Sequence, residues 1–205
     1  LTVHDLSFVH FPETFPAVLV DYLNQVVPWS VSRATHVLAD SISTKIDLQE
    51  QWAVPEDKIT VLYSGVGKEY QPVKDPDILS RVRQHYDLGK DPYLLSVGTV
   101  QPRKNYQMLI RAFAEIAEQF PHKLYIAGGK GWMEQEMIAE AVRQGIVDRV
   151  RFLGFVADEH LPALYSGASL FLFPSLYEGF GLPILEAMAC GTPAIISNSS
   201  SLPEV

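Results

Sequence analysis

The sequence predicts an α/β fold built on parallel sheets, and three observations predict it. Short apolar runs alternate with helix-period segments along the whole chain, the pattern left by strands joined through crossover helices. Most of those runs are apolar on both faces, as strands covered on two sides must be. Apolar residues make up 47% and charged residues 20% of the 205 residues, the balance of a globular chain and not of a disordered one.

The elements follow in order. Strands are predicted at residues 1–4, 35–39, 59–63, 93–97, 123–127, 150–154, 170–173 and 194–197. Helices are predicted at 17–32, 43–52, 78–86, 105–120, 133–144, 159–166 and 183–189. The clearest is 105–120, where Leu109, Ile110, Phe113, Ile116, Ala117 and Phe120 recur at helical spacing. Pro183 suits a first helical turn, where its missing N–H costs nothing, and Gly191 suits a helix C-cap. Between 64 and 92 the rhythm is broken by Gly65, Gly67, Pro72, Pro76, Gly89 and Pro92, which places a linker at about 64–76. Two domains are therefore expected, residues 1–70 and 71–205. Both are expected to be incomplete, because the chain opens without Met on Leu1-Thr2-Val3 and stops at Val205 with no closing helix.

Charge and cysteine content exclude several classes. Twenty-four acidic and sixteen basic side chains give a net charge of −8, which opposes non-specific nucleic-acid binding while leaving room for a basic pocket. Cys190 has no second cysteine to pair with, so no internal disulfide forms and a reduced, cytoplasmic setting is expected. No apolar run approaches the ~20 residues of a membrane helix, the longest (168–176) being interrupted by Pro174. The six His residues are scattered, so no metal site is expected.

Three groups of residues carry the chemistry. In the first, strand 93–97 is followed by Gly98, then by Arg103-Lys104, then by a helix start. Ligands of open α/β sheets bind beyond the carboxyl ends of strands, and a helix N-terminus suits phosphate. Arg103 adds a bidentate fork and Lys104 a point charge. Two solvated cations before a helix are the other reading. In the second, Glu178-Gly179-Phe180-Gly181-Leu182 leads from strand 170–173 into a helix bearing Glu186. The glycines let backbone approach a ligand, and each carboxylate can accept two hydrogen bonds from adjacent sugar hydroxyls. Otherwise both are ordinary loop and helix-start charges. In the third, His4 stands beside Asp5 at the end of the first strand, placed to donate to a hydroxyl or manage a proton, or simply to be hydrogen-bonded. Two further patterns carry no site. Gly128-Gly129-Lys130-Gly131 lacks a complete dinucleotide fingerprint and reads as a glycine turn. Asp75-Pro76-Asp77 reads as a surface turn and not as a metal-binding pair of carboxylates.

With these residues in view, the chain resembles glycosyltransferase family 4, in the group 1 set of enzymes with the GT-B fold. The resemblance is carried by the Glu178-x7-Glu186 motif and by Val97-Gly98-Thr99-Val100-Gln101-Pro102-Arg103-Lys104-Asn105. Ser64-Gly65-Val66 and Arg151-Phe152-Leu153-Gly154-Phe155-Val156 support it. The Pro-Arg-Lys-Asn variant is similar to bacterial mannosyl- and rhamnosyl-type transferases of polysaccharide assembly. The resemblance implies two Rossmann-like domains with a cleft between them. It also implies retaining, metal-independent sugar transfer from a nucleotide-sugar such as GDP-mannose to a saccharide or lipid-linked acceptor, with no cofactor. On it, Arg103 and Lys104 meet the donor diphosphate, Gly98 belongs to the donor site, and Glu186 holds the ribose. Glu178 and His4 face the donor sugar. Gly179, Phe180, Gly181 and Leu182 line sugar or phosphate, and Phe155 and Val156 border the base. His4, Glu178, Arg103 and Lys104 are the expected catalytic groups. Some relatives carry Arg where this chain has Thr99, which leaves Arg103 and Lys104 to serve alone. A cytoplasmic enzyme is implied, with membrane contact at the inner face through the absent N-terminal portion. The competing readings are a non-catalytic nucleotide-sugar-binding subunit, which would be expected to lose His4 or Glu178, and an epimerase or phosphorylase on the same architecture.

Overall fold

The computed structural model describes residues 1–129 and 134–205, so Lys130 and Gly131 of the predicted glycine turn lie outside the described residues. The chain forms two compact units. The first comprises Leu1–Gly65 with two later segments, Ser175–Gly181 and Ser197–Val205; the second comprises Val66–Pro174 and Leu182–Ile196.

The first unit holds a parallel sheet of three strands in the order β1 (Thr2–Val3), β2 (Val37–Ala39), β3 (Ile59–Val61). Its helices are α1 (Ser7–His10), α2 (Ala17–Arg33) and α3 (Ile42–Trp52). The short α1 lacks the length to show a period and escaped the sequence reading. Val3 pairs with Ala39, and Ala39 with Val61. Val3, Leu6, Val31, Val37, Ala39, Leu48, Val54 and Ile59 close a core around the sheet. Ser41 opens α3, its hydroxyl accepting from Thr44 N at 3.0 Å, which satisfies one of the donors that a helix start leaves without a partner. The carboxylate of Glu204 takes the neighbouring donors, Ile42 N at 2.7 Å and Ser43 N at 2.8 Å, and so ties residues 197–205 to this unit.

The second unit contains α4 (Pro76–His85), β4 (Tyr93–Val97), α5 (Tyr106–Ile116), β5 (Lys123–Ala127), α6 (Glu134–Arg143), β6 (Val150–Gly154), α7 (Leu161–Gly167), β7 (Leu170–Phe173), α8 (Leu182–Ala189) and β8 (Ala194–Ile196). Four of these strands match the apolar runs residue for residue. The sheet is parallel, in the order β6-β5-β4-β7-β8. Successive strands step outward from β4 to β6, and the chain then returns to the other side of β4. Asp75-Pro76-Asp77 is not a free surface turn: Asp75 caps α4, accepting from Asp77 N at 2.9 Å, and Pro76 takes the first helical position. Helix α5 buries Tyr106, Leu109, Ile110 and Phe113 along one stripe. It is joined to α6 by the buried carboxylate of Glu140, which accepts from Arg111, Arg143, Gln144 and Gln107. Arg111 foremost, then Arg143, hold that carboxyl well below the ordinary range.

The carboxyl ends of β4 and β5 pass each other too closely for side chains. Gly98 N donates to Ala127 O at 2.8 Å, and a Cβ on Gly128 would lie 2.1 Å from Gly98 O at φ +154°. Gly128→Ala should therefore lower stability by about 2 kcal/mol or more, because the backbone of Gly98 and Thr99 blocks the methyl group. Gly129→Ala, with nothing within 4 Å, should stay within ~0.5 kcal/mol of wild type. Thermal melts of the two variants check this, and equal losses would contradict it.

Candidate functional site

In an open parallel sheet, the point where strand order reverses leaves a crevice at the carboxyl ends, because the crossovers from the two central strands leave in opposite directions. Here that point lies between β4 and β7. Gly98 follows β4, and Pro102–Lys104 then make a single 3-10 turn before Asn105, at φ +56°, starts α5. Arg103 and Lys104 thus sit on their own turn ahead of the helix and not on its first residues. Lys104 is 8% exposed, which removes the solvated-cation reading for this residue. Its Nζ lies 4.7 Å from the ring centroid of Phe173, the last residue of β7. Its Cε would approach a Cβ on Gly98 to 3.1 Å. The ammonium therefore spans the two strands that flank the reversal, against an aromatic face worth roughly 0.5–2 kcal/mol. Tyr106 closes the turn, its hydroxyl donating to Gly98 O at 3.0 Å. Arg103 is half-buried on the same turn. Beyond β6, Phe155 stands 77% exposed while Val156 is buried.

Helix α8 carries Glu186, half-buried, and Tyr165 of α7 donates to its Oε2 at 2.7 Å. Tyr70 is a second hydrogen-bond partner. Burial raises the Glu186 carboxyl above its ordinary value; the two phenols offset this in part, while Asp158 and Glu69 add to it. Tyr70 is in turn pushed up to about 12, by burial first and then by the charge of Glu186. Glu186 is therefore an acceptor presented by neutral donors, with no cation among these partners. Neither tyrosine was legible beforehand, since Tyr165 lies in an apolar helix and Tyr70 in the linker.

His4 belongs to the first unit. His4 is mostly exposed, and its Nδ1 lies 2.8 Å from Asp40 Oδ2. Asp5, its neighbour in the chain, turns to Ser7, accepting from its backbone N at 2.8 Å and its hydroxyl at 2.6 Å. Strand geometry accounts for this: adjacent residues diverge, whereas His4 and Asp40 leave the carboxyl ends of paired strands β1 and β2. With a carboxylate on Nδ1, that nitrogen carries the proton and Nε2 is the one presented outward.

Glu178, Gly179, Phe180 and Gly181 lie in the segment that joins the first unit, whereas Leu182 and Glu186 belong to the second, so the Glu-x7-Glu interval runs from one unit into the other. Hydroxyls hold the backbone of this segment. Ser200 Oγ accepts from Glu178 N at 2.9 Å, and Ser201 Oγ serves Glu178 O at 2.8 Å and Phe180 O at 2.9 Å. Ser199 Oγ donates to Ser175 O at 3.0 Å. The serine-rich run at 197–201 was the signal available for this in the sequence. Phe180 stacks on Tyr63 at 5.6 Å between centroids. Among the described residues no three His, Cys, Asp or Glu side chains gather as a metal-ligand set, and no helix is long and apolar enough to cross a membrane.

Glu186 and Tyr165 yield a pH prediction. An acid whose folded pKa is raised binds more protons folded than unfolded, so the cost of its burial is present above that pKa and relieved as pH falls through it. Tyr165→Phe removes a donor to the ionised form and raises the pKa further. It should cost about 1.5–3 kcal/mol at pH 7, the worth of a hydrogen bond to a charged group, and less in acid. Denaturant melts at both pH values check this; an equal loss at both would contradict it.

The glycosyl transferases group 1 family model matches residues 80–205. O-antigen chain mannosyltransferase B of Escherichia coli is 37% identical over 207 residues, covering 100% of this chain and 54% of that protein. O-antigen chain mannosyltransferase RfbU of Salmonella typhimurium is 31% identical over 205 residues, covering 100% and 53%. Among solved structures, Anabaena Alr3699/HepE in complex with UDP and glucose superposes with a TM-score of 0.81 at 26% identity, over 99% of this chain and 53% of that one. The fold class expected from the resemblance, GT-B with parallel α/β units, is the one found. The chain spans about half the length of the curated relatives it matches. The family match takes in well over half of the residues, and the chain belongs to the glycosyl transferases group 1 family.

Proposed function

We propose that the full-length protein is a retaining, metal-independent glycosyltransferase. It moves a sugar from GDP-mannose or a similar nucleotide-sugar to a saccharide or lipid-linked acceptor hydroxyl in cell-surface polysaccharide or glycolipid synthesis. The observation that carries this reading is the Lys104 ammonium held across the ends of β4 and β7, beside Gly98. A fixed cation at a strand-order reversal suits a diphosphate. The mannosyltransferase names of the relatives support the sugar.

In this reading Arg103 and Lys104 take up the charge that builds on the departing diphosphate, an electrostatic role that needs no reorganisation during the reaction. Glu186 accepts from the ribose hydroxyls, and Phe155 and Val156 border the base. Glu178 and His4 hold the donor sugar, with Gly98 and residues 179–182 supplying close backbone. The acceptor oxygen bonds to the anomeric carbon on the face from which the phosphate oxygen leaves, and the acceptor's proton passes to that phosphate oxygen. No enzyme nucleophile takes part, so Glu178 and Glu186 are binding groups and not a glycosidase pair. A UDP-sugar is the second reading of the donor, favoured by the UDP bound to Alr3699/HepE.

Calorimetry of GDP, UDP and ADP with the full-length protein tests this. One nucleotide should bind, unaffected by EDTA, and Arg103→Ala and Glu186→Ala should each weaken it about tenfold to a hundredfold, the worth of a charge-assisted hydrogen bond. A folded full-length protein that binds none of the three would overturn the reading.

A further inference from the structure

Within the first unit, the side chain that precedes Glu178 reaches the backbone that follows His4. Tyr177, which precedes Glu178, is buried, and its Oη donates to Asp47 Oδ2 at 2.6 Å. The same oxygen accepts from Leu6 N at 3.1 Å, two residues beyond His4. Asp47 is anchored in α3, and its second oxygen, Oδ1, lies 3.0 Å from His10 Nε2. The His10 ring packs on Tyr177 with centroids 4.9 Å apart. Two residues after Tyr177, Gly179 meets the same stretch: a Cβ there would lie 2.2 Å from His4 O and 2.9 Å from Asp5 Cβ. Residues 177 and 179 thus bracket Glu178 while touching Leu6 and His4, so the two backbones are registered at two points.

The polarity of the arrangement is fixed. A carboxylate accepts only, so the phenolic proton points to Asp47 and the phenol's lone pair is left for Leu6 N–H. Burial, followed by the bond to Asp47, pushes the phenol well above its ordinary value, which keeps that proton in place. A residue needed only for packing would be served as well by Phe. A buried hydroxyl using both its donor and its acceptor capacity points to a role in alignment.

We propose that Tyr177, backed by Asp47 and His10, is a positioning residue that sets Glu178 and His4 relative to each other for sugar transfer. This rests on the transferase reading of Glu178 and His4. The test uses the full-length protein with GDP-mannose turnover, GDP binding by calorimetry, and amide hydrogen exchange. Tyr177→Phe should lower kcat about tenfold or more, the cost of misplacing a catalytic group by a fraction of an ångström to an ångström. KM for GDP-mannose and GDP affinity should stay within about twofold, because the diphosphate contacts are untouched. Exchange should quicken in peptides covering both 4–11 and 175–181, and stay unchanged in β4 and β5. Asp47→Asn, which keeps an acceptor for the phenol, should be milder than Asp47→Ala, and combining Asp47→Ala with Tyr177→Phe should add little to either. An unchanged kcat in Tyr177→Phe, or quickened exchange with kcat intact, would overturn the proposal. If the wild type neither binds nor turns over any nucleotide-sugar, the transferase reading fails. Exchange in the two segments then still decides whether Tyr177 joins them, and no change there removes the positioning role as well.

Discussion

The order of five parallel strands, β6-β5-β4-β7-β8, is the constraint on which the second unit depends. Each parallel pair must be joined by a crossover, and the crossovers that leave β4 and β7 run to opposite sides. No connection can then cover the ends of both strands, and a crevice is left at that point. Gly98 and the turn of Arg103 and Lys104 occupy one side of that gap, and Phe173 ends the other. The close passage of Gly128 past Gly98 O shows how tightly the same ends are packed on the β5 side. Backbone is thereby held where side chains would have intervened.

Two glutamates of the second unit show how surroundings decide what one residue type does. Glu140 is ringed by Arg111, Arg143 and two glutamines, and its carboxyl is held far down. Every one of its bonds joins α5 or α6, so the charge is consumed in holding helices. Glu186 is buried beside phenols, and its carboxyl is driven up. A phenol gives a hydrogen bond without neutralising the charge, so Glu186 keeps acceptor capacity that a cation would have taken. Folding tolerates this less comfortable carboxylate and compensates with packing elsewhere.

In the first unit the same economy applies to backbone. The segment Ser175–Gly181 has no helix or strand of its own, and so no ladder to satisfy its polar groups. Side-chain hydroxyls of Ser199, Ser200 and Ser201 stand in for that ladder. Irregular backbone fixed in this manner carries Gly179 past His4 O with no room for a Cβ between them.

Much of this was determined by local sequence. Strands such as 93–97 and 123–127 are apolar on both faces, and α5 carries a 3.6-residue stripe, so these elements and the parallel arrangement follow from the apolar pattern. Gly98 with Arg103-Lys104, and Glu178 with Glu186, were visible because glycine and charge interrupt those patterns. What tertiary structure decided is partnership. It paired His4 with Asp40, turned Asp75 into a helix cap, buried Lys104 over Phe173, and set Tyr165 against Glu186. It also divided the Glu-x7-Glu interval between two units. Periodicity reports which face of an element is buried, but a hydrogen bond needs two groups at about 3 Å. Which residues reach that distance depends on strand order and register between segments far apart in the chain.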